Sequence, residues 1–553
     1  MGGPVRNHRL VMTAALVAAG LGLSPSAASA TEGPTKAVAP SPAKAGEAAA
    51  KTFRSPADRT VSTALPGSRS KAAVDHPGIA VAIEGRSFSA YGLELETRIT
   101  GPDGVTLDVV VDWGDGKTEK TTLKGSGELA HGHTYAEVGS YTVKVTATDT
   151  AGAVQGANEI AFVTPGSKFT PHAPTRLLDT RDGTGTKAGK VAARGATRVK
   201  VAGNSGIPAG VEAVALNVTV TNTTAGGHIT VWPGDKGSER PGTSNLNYTA
   251  GQSVPNLVIV PVGADGHVEL FNGGWESVDL VADVTGYFTR TAASGYTSMT
   301  PARFVDTREG LGTAKGQLAG RAAFTTQIGD LRGVPKGITA VALNVTVTNP
   351  KEAGHLSVFP GGGQTPTASN LNFSAGQTVA NSVIVPVGPD GRISVFNGGW
   401  AGTDVVVDVV GHYSKDGKAA YRPIGPWRTL DTRDPESSWW GGRLPARGYI
   451  PQWYSPDDHE GDEALVLNTT VTNTVDSGFL SVAPSPFPWL INDQPGAPVP
   501  PRPDSSSLNW TKGATVANLV QAGDGEHGIV HFWNQGWKDA DLIVDLFGVY
   551  ETD

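Results

Sequence analysis

The sequence predicts an all-β protein of several domains: a small β-sandwich followed by three tandem, jelly-roll-like β-sandwich modules. Apolar and polar residues alternate with period two from about residue 78 onward, between turn signals and without an amphipathic helical period. A segment of about 125 residues also occurs three times, which is long enough for each copy to have its own core. These observations favour three separate modules, with a single propeller-like body as the alternative.

The first thirty residues predict a cleaved secretory signal peptide. Basic residues at Arg6 and Arg9 precede an apolar stretch, residues 10–23, and small residues lead to a cleavage motif ending at Ala30. The apolar stretch is shorter than the roughly 20 residues that a membrane-spanning helix needs. We therefore expect a protein without a membrane span that is secreted and either extracellular or associated with the cell wall.

The composition narrows the classes of partner and site. The chain has no cysteine, which excludes disulfides, thiolate metal sites and a cysteine nucleophile. Loss of residues 1–30 would change the formal net charge from −8 to −10, because two arginines and no acidic residue are removed. No cluster of Lys and Arg is present, so we do not expect a nucleic-acid partner.

A flexible segment and a small domain are expected next. Residues 31–77 are rich in Ala, Pro and Ser and predict a disordered spacer. Residues 78–166 predict a β-sandwich, in which VDWGDG at 111–116 is followed by HTY at 133–135 and GSYTVKV at 139–145. This pair of motifs resembles the PKD domain, an immunoglobulin-like sandwich. The resemblance implies a spacer or interaction module of exported proteins.

The remaining sequence is a threefold repeat. An Arg-x-x-Asp-Thr-Arg motif starts at Arg176, Arg303 and Arg428, and further motifs follow in the same order in each copy. We assign module 1 to residues 167–291, module 2 to residues 296–416, and module 3, with an insertion rich in Trp and Pro, to residues 420–553.

Repeated charged residues occur on the first and last strands of each module. An arginine and a carboxylate that meet between these strands would form a structural, bidentate ion pair. The alternative is a calcium site that uses Asp179 and Asp283 with backbone carbonyls, although the spacing matches no known calcium loop. The structural assignment covers Asp179, Arg181 and Asp283 in module 1, Asp306, Arg308 and Asp408 in module 2, and Asp431, Arg433 and Asp545 in module 3.

Repeated asparagines and tryptophans are candidates for ligand contacts. The asparagines, such as Asn217, Asn247, Asn256 and Asn272, either bond turn backbone or bind sugar hydroxyls. One tryptophan follows a hairpin-type turn in each module, where its ring either stacks on a sugar or folds back over the sandwich. These tryptophans are Trp275, Trp400 and Trp537.

Module 3 contains eight of the twelve tryptophans. Several have no aromatic counterpart in modules 1 and 2, and they lie in or near expanded loops, which on a rigid β-scaffold often carry recognition. Packing of the insertion against its own module is the other interpretation. The candidate ligand-binding residues of this group are Trp439, Trp440, Trp453 and Trp489.

Taken together, the motifs favour binding over catalysis. The sequence has no zinc-protease, nucleophile-elbow, phosphate-loop or dinucleotide motif, so we expect no enzyme and no cofactor beyond the calcium alternative. The three copies resemble a repeat module of secreted actinobacterial proteins, which implies binding to glycans or cell surfaces. We expect a multivalent binder of cell-wall or extracellular polysaccharide. The alternatives are a structural or assembly component that binds protein partners, and an unrecognised glycoside hydrolase.

Overall fold

The computed structural model describes residues 51–65, 78–87, 89–151, 153–235, 239–291, 293–434, 440, 442–454, 462–487, 498–525 and 528–552. The expected signal peptide, residues 1–30, lies outside this part of the chain. Strands form almost all of the regular structure, and the predicted all-β, multidomain β-sandwich class is confirmed. Within the described ranges, no helix has the length and apolarity needed to cross a membrane.

The N-terminal sandwich consists of two antiparallel sheets, ordered β1-β3-β4-β7 and β2-β9-β8-β5-β6. Its strands are β1 (Lys51–Ser55), β2 (Val61–Ala64), β3 (Ala80–Ser87), β4 (Gly92–Thr100), β5 (Thr106–Asp112), β6 (Thr118–Lys124), β7 (Gly127–Thr134), β8 (Ser140–Asp149) and β9 (Val154–Val163); a short 3-10 turn, Ala57–Arg59, joins β1 and β2. Alternate residues point into a common core that includes Trp113, Tyr135 and Phe162. Gly114, at φ +80°, leaves no room for a Cβ beside the Thr142 carbonyl, which explains the glycine in this turn.

The spacer prediction for residues 31–77 is wrong for residues 51–64. Strand β1 pairs with β3 and strand β2 pairs with β9, so this segment completes both sheets of the N-terminal sandwich. Phe53 packs edge-on against Phe162 with ring centroids 5.1 Å apart. Asn158 donates side-chain hydrogen bonds to the backbone carbonyls of Pro56 and Val81. The segment was missed because most of its residues are polar or exposed, with little apolar periodicity.

Modules 1, 2 and 3 each have eight strands among their described residues. Module 1 contains β10 (Lys168–Asp179), β11 (Ala196–Lys200), β12 (Ala213–Thr221), β13 (Gly227–Trp232), β14 (Leu246–Tyr248), β15 (Val254–Pro261), β16 (His267–Asn272) and β17 (Asp279–Thr289). Module 2 contains β18 (Gly295–Asp306), β19 (Ala323–Gln327), β20 (Ile338–Thr348), β21 (Gly354–Pro360), β22 (Leu371–Phe373), β23 (Val379–Pro386), β24 (Arg392–Asn397) and β25 (Asp404–Ser414). Module 3 contains β26 (Ala420–Asp431), β27 (Tyr449–Trp453), β28 (Asp462–Thr472), β29 (Gly478–Pro484), β30 (Leu508–Trp510), β31 (Val516–Gly523), β32 (Ile529–Asn534) and β33 (Asp541–Glu551).

The strand order of each module is that of a jelly roll. In module 1 the sheets are β10-β17-β12-β15 and β11-β16-β13-β14, so strands 1, 8, 3 and 6 form one sheet and strands 2, 7, 4 and 5 form the other. Modules 2 and 3 repeat this order. We call the first sheet of each module the axial sheet and the second the outer sheet. Each module has an apolar core between its two sheets.

The three axial sheets also share a core with one another, so the three modules, which have separate cores as expected, are packed together and are not independent beads. Strands β15, β23 and β31 contact each other in pairs, which closes the modules around a pseudo-threefold axis. On β12, Leu216 and Val218 face the module's own core, whereas Ala213 and Ala215 face the shared core. Small residues at these positions let the three sheets approach closely. The propeller alternative is wrong, because each pair of sheets is stacked as a sandwich.

Aromatic pairs repeat around the axis at one end of the shared core. Phe169 of module 1 lies 4.3 Å from Tyr413 of module 2, measured between ring centroids. Tyr296 of module 2 lies 4.3 Å from Tyr550 of module 3, and Tyr421 of module 3 lies 4.8 Å from Phe288 of module 1. Each ring is almost fully buried, and burying a side chain of this size contributes roughly 1.5–3 kcal/mol.

The repeated asparagines form a hydrogen-bonded ring between modules. The Asn381 Nδ2 donates to Asn217 Oδ1 at 3.0 Å, which joins module 2 to module 1. The same contact joins module 3 to module 2 through Asn518 and Asn344, and module 1 to module 3 through Asn256 and Asn468. The side-chain oxygens of Asn256, Asn381 and Asn518 each accept from a backbone N–H of the neighbouring module. Asn217 and Asn256 therefore hold modules together and are buried away from any ligand.

The N-terminal sandwich packs against the same end of the three-module body. The Ala90 N–H donates to the Glu551 carboxylate, and the Tyr91 hydroxyl donates to the Lys418 carbonyl. The Arg290 Nε donates to the Thr164 carbonyl at 2.8 Å. The last strands of modules 1 and 3 finish at this end, and the segment between modules 2 and 3 lies there as well. The opposite end of the body is where these last strands begin.

Candidate functional site

The repeated Asp and Arg residues form structural ion pairs. Asp283, on the last strand of module 1, accepts two hydrogen bonds from Arg176, at 2.9 and 3.3 Å. The sequence analysis named Arg181 as the arginine of this network. Arg181 instead pairs with its near neighbour Asp179, at 2.6 Å. Arg176 also contacts Asp179 at 2.9 Å, so one guanidinium joins the two carboxylates proposed as calcium ligands.

Modules 2 and 3 repeat this network. Arg303 pairs with Asp408 and Arg428 pairs with Asp545, while Arg308 and Arg433 pair with Asp306 and Asp431. Arginine hydrogen bonds and charge lower the pKa of Asp179, and burial raises the pKa of Asp283 despite its arginine partner. Among the described residues, no group of three or more acidic or histidine side chains is arranged to hold a metal ion.

A turn held by several side-chain hydrogen bonds follows strand seven of each module. In module 1 the Asn272 Oδ1 accepts from the Gly274 N–H at 2.9 Å and from the Tyr248 hydroxyl at 2.8 Å. The Asn272 Nδ2 donates to the carbonyls of Ala192 and Glu276. Asn397 and Asn534 make the equivalent bonds to the Gly399 and Gly536 N–H groups. The asparagine is fully buried, so its role is to fix the turn. We call residues 272–275, 397–400 and 534–537 the tryptophan turns.

Each tryptophan turn places its indole in solvent. Trp275, Trp400 and Trp537 are 78%, 80% and 73% exposed, against 3% for Trp113 in the N-terminal sandwich. Large aromatic side chains are normally buried, and three of them are exposed at equivalent positions. The turns precede the last strand of each module, which places them at the end of the body opposite the N-terminal sandwich.

An arginine side chain contacts each exposed ring. The Arg194 guanidinium carbon lies 5.4 Å from the centroid of Trp275, and Arg321 and Arg447 lie 5.3 and 4.9 Å from the rings of Trp400 and Trp537. Each arginine also donates through its NH1 to a carbonyl of the turn: Gly273, Gly398 or Gln535. These contacts fall within the range of cation–π interactions. We call each tryptophan with its arginine a Trp–Arg platform.

The sequence alone did not identify the platform arginines as candidate binding residues. Arg194, Arg321 and Arg447 occupy the same position of the repeat in the three modules, beside glycine or alanine. Their recurrence at one position was the available signal. It was not informative alone, because many arginines of the repeat recur for structural reasons.

A histidine lies beneath two of the platforms. His228 packs on Gly273 and His355 packs on Gly398. In module 3 the equivalent residue is Phe479, whose carbonyl accepts from the Gln535 N–H of the turn. Burial and the neighbouring Arg194 and Arg240 guanidinium groups lower the pKa of His228. Burial and Arg321 lower the pKa of His355 in the same way. Both histidines are therefore biased toward the neutral form.

Of the other predicted tryptophans, the structure describes Trp440 and Trp453. Trp440 and Trp453 are 38% and 39% exposed, and Trp453 is on β27, an edge strand of the outer sheet of module 3. Tyr449 on the same strand packs on Trp533, with ring centroids 4.4 Å apart. Trp439 and Trp489 lie outside the described residues. Trp453 pairs with Ile529, at the end of β27 away from the tryptophan turn of module 3.

Comparisons with known proteins identify one domain of the chain. The model of the PKD domain family matches residues 84–164, within the N-terminal sandwich. No curated protein matches the chain.

Similarities to solved structures are weak. The N-terminal CBM22-1-CBM22-2 tandem domain of Xyn10C from Paenibacillus barcinonensis has 11% identity and a TM-score of 0.15, covering 43% of this chain and 98% of that chain. A SusE-like protein has 11% identity and a TM-score of 0.11, covering 35% and 93%. A triple jelly-roll protein of an archaeal virus has 9% identity and a TM-score of 0.15, covering 70% and 90%. At these values the similarities carry no information about what this chain binds.

Proposed function

We propose that this chain is a secreted, non-enzymatic protein that binds cell-wall or extracellular polysaccharide through its three Trp–Arg platforms. The observation that carries the proposal is the exposure of Trp275, Trp400 and Trp537 on turns fixed by buried asparagines. Export is supported by the signal-peptide pattern of residues 1–30. The repeat motifs, which resemble a module of secreted actinobacterial proteins, agree with an extracellular role.

An exposed indole on a rigid turn suits a pyranose ring. The flat apolar face of tryptophan packs against the C–H face of a sugar, and its polar N–H edge stays in contact with water. The turn is fixed before the ligand arrives, so little conformational entropy is lost on binding. Each platform alone is a small site, and we expect weak binding at any one of them.

Three weak sites that are linked in one body can together bind a polymer more tightly than any one of them. A polymer that is bound at one platform holds its other sugars close to the remaining platforms, which raises the effective concentration of sugar at those platforms. Avidity gains of about 10²- to 10⁴-fold are typical when the geometry permits simultaneous contacts. A polysaccharide, which repeats the same sugar along its length, is a suitable ligand for this arrangement.

The test is retention of the mature protein on insoluble chitin, cellulose and peptidoglycan. We expect retention of the wild type and its loss when Trp275, Trp400 and Trp537 are all changed to Ala. Because the rings are exposed, unfolding midpoints should hardly change. The matched control is Trp453→Ala, which removes a tryptophan at the end of β27 away from the tryptophan turn of module 3.

Two results would contradict the proposal. If retention is lost in the control and kept in the platform variant, the binding site lies on module 3 alone. If the wild type is retained on no glycan but copurifies with a protein partner, the protein-binding alternative is correct.

A further inference from the structure

The platform arginines differ from most arginines of the three modules in their partners. Arg176, Arg198 and Arg290, for example, each contact a carboxylate at hydrogen-bond distance. Among the described residues, Arg194, Arg321 and Arg447 form no ion pair with a carboxylate. Each uses one NH1 group for a turn carbonyl, which leaves other N–H donors of the guanidinium available beside an exposed indole.

The backbone of these arginines is a second, independent observation. Arg194, Arg321 and Arg447 have φ values of +56°, +60° and +56°, in the left-handed region where glycine is free of strain and other residues are uncommon. Arginine is nevertheless present at this position in all three modules. Strained residues of this kind cluster at functional sites, and here the strain accompanies a side chain that contacts the exposed ring.

Further positive charge lies next to two of the platforms. In module 1 the Arg240 guanidinium lies 3.8 Å from the ring centroid of Phe271, which Arg194 also contacts. In module 3 the Arg502 guanidinium donates to the Arg447 carbonyl and lies 5.1 Å from the ring of Trp533. Neither Arg240 nor Arg502 pairs with a carboxylate in the described part of the chain. These guanidinium groups add positive charge beside the two platforms, in a chain whose formal net charge is −8.

We infer that the Trp–Arg platforms bind an anionic polysaccharide, with a pyranose ring stacked on the tryptophan and a carboxylate or phosphate of the polymer bonded to the arginine. This inference rests on the proposed function and adds the charge of the ligand. Guanidinium N–H groups form charge-assisted hydrogen bonds with both kinds of anion. The indole supplies stacking and the guanidinium supplies the preference for a charged sugar.

The test compares two forms of one polymer on the full mature chain. The probes are polygalacturonate and its methyl ester, which differ in charge but share their sugar rings, and a hexose polymer linked by phosphodiesters separates phosphate from carboxylate. We expect the free acid to bind about tenfold tighter than the ester, since one charge-assisted hydrogen bond supports a factor of this size. Added salt should weaken binding of the acid and leave the ester unaffected.

Substitutions of single residue types test whether the platform arginines produce the preference for the acid. The triple variant Arg194→Gln, Arg321→Gln and Arg447→Gln should bind the acid and the ester with equal affinity, so that the preference of the wild type for the acid is lost. The matched control, Arg198→Gln, removes an arginine of module 1 that pairs with Asp265 and Glu269, and should keep the preference for the acid.

Three results overturn the inference. Equal binding of acid and ester by the wild type removes the charge preference and leaves the proposed function standing. Equal loss of both ligands in the triple variant means that the arginines only support the tryptophan. Binding of no polysaccharide at all removes the proposed function together with this inference.

Discussion

At the scale of single residues, burial separates the repeated residues that hold the fold from those available to a ligand. The aspartates of the last strands are almost fully buried, at 1% exposure or less for Asp283, Asp408 and Asp545. The tryptophans of the tryptophan turns are exposed at the same repeat positions in every module. The sequence shows that both sets recur, but recurrence alone does not show which side chains reach solvent.

The buried ion pairs give the first prediction. Asp408→Asn should lower the free energy of unfolding by about 1–3 kcal/mol, because it removes the charged acceptor closest to the guanidinium of Arg303, which keeps Asp306 at 3.6 Å. The matched control is Asp330→Asn in the same module, whose partner Lys336 is 80% exposed and whose loss should cost about 1 kcal/mol or less. Urea unfolding of both variants measures the difference. Equal small effects would show that the Arg303–Asp408 pair adds little stability.

A histidine of module 3 gives a pH-dependent prediction. Burial lowers the pKa of His531 to about 4, from an ordinary value of 6.5. Between pH 4 and 6.5 the unfolded chain therefore binds a proton that the folded chain excludes, and stability should fall as the pH is lowered through this range. Each unit of difference between the two pKa values corresponds to about 1.4 kcal/mol.

The variant His531→Gln isolates this effect from the titration of carboxylates. Its stability, measured by urea unfolding at several pH values, should decline less than that of the wild type between pH 6.5 and 4. Parallel declines for the two proteins would show that His531 is protonated equally in the folded and unfolded states.

At the scale of strands and sheets, the two faces of the axial sheet explain what could be predicted from the sequence. The period-two alternation of apolar residues, here Val214, Leu216 and Val218, predicts a strand with one core face, and this face does pack inside module 1. The opposite face carries Ala, Asn and Thr, a composition typical of a half-exposed strand. Its burial depends on the other two modules, and single-strand periodicity contains no information about a surface supplied more than a hundred residues away.

The asparagine ring gives the prediction at this scale. Asn256→Ala removes the partners of the Leu519 N–H and of Asn468 Oδ1, both of which belong to module 3. Each buried polar group left without a partner costs about 1–3 kcal/mol. We therefore expect a clear loss of stability in urea unfolding.

Asn247→Ala is the matched control. Asn247 is also a repeated asparagine of module 1, but its Nδ2 is buried and forms no hydrogen bond within the described chain. Its replacement should leave stability unchanged or slightly increased. Similar losses in the two variants would show that the inter-module bonds of Asn256 contribute nothing specific.

At the scale of the whole molecule, the three modules bury their axial sheets in one shared core. Module 3 alone would expose the axial face that contains Tyr421 and Tyr550, both buried in the intact body. Exposed apolar patches of this kind promote association. The separate modules expected from the sequence were a reasonable inference from repeat length, which carries no information on contacts between copies.

The corresponding prediction concerns fragments. Residues 167–553 should form a folded monomer, whereas residues 420–553 alone should self-associate or remain unfolded. Light scattering coupled to size-exclusion chromatography, together with near-UV circular dichroism, distinguishes these states. A folded, monomeric module 3 would contradict an essential role for the shared core.

The covalent connection of the three jelly rolls around one axis has an evolutionary consequence. In a ring of three identical subunits, every substitution appears three times and must be tolerated at all three positions. Here the stoichiometry is fixed by the chain, so each copy can diverge separately while the ring stays closed. Module 3 differs from module 1 in this way: it has Tyr449, Trp453 and Trp533 at the positions that Ala196, Lys200 and Phe271 occupy in module 1.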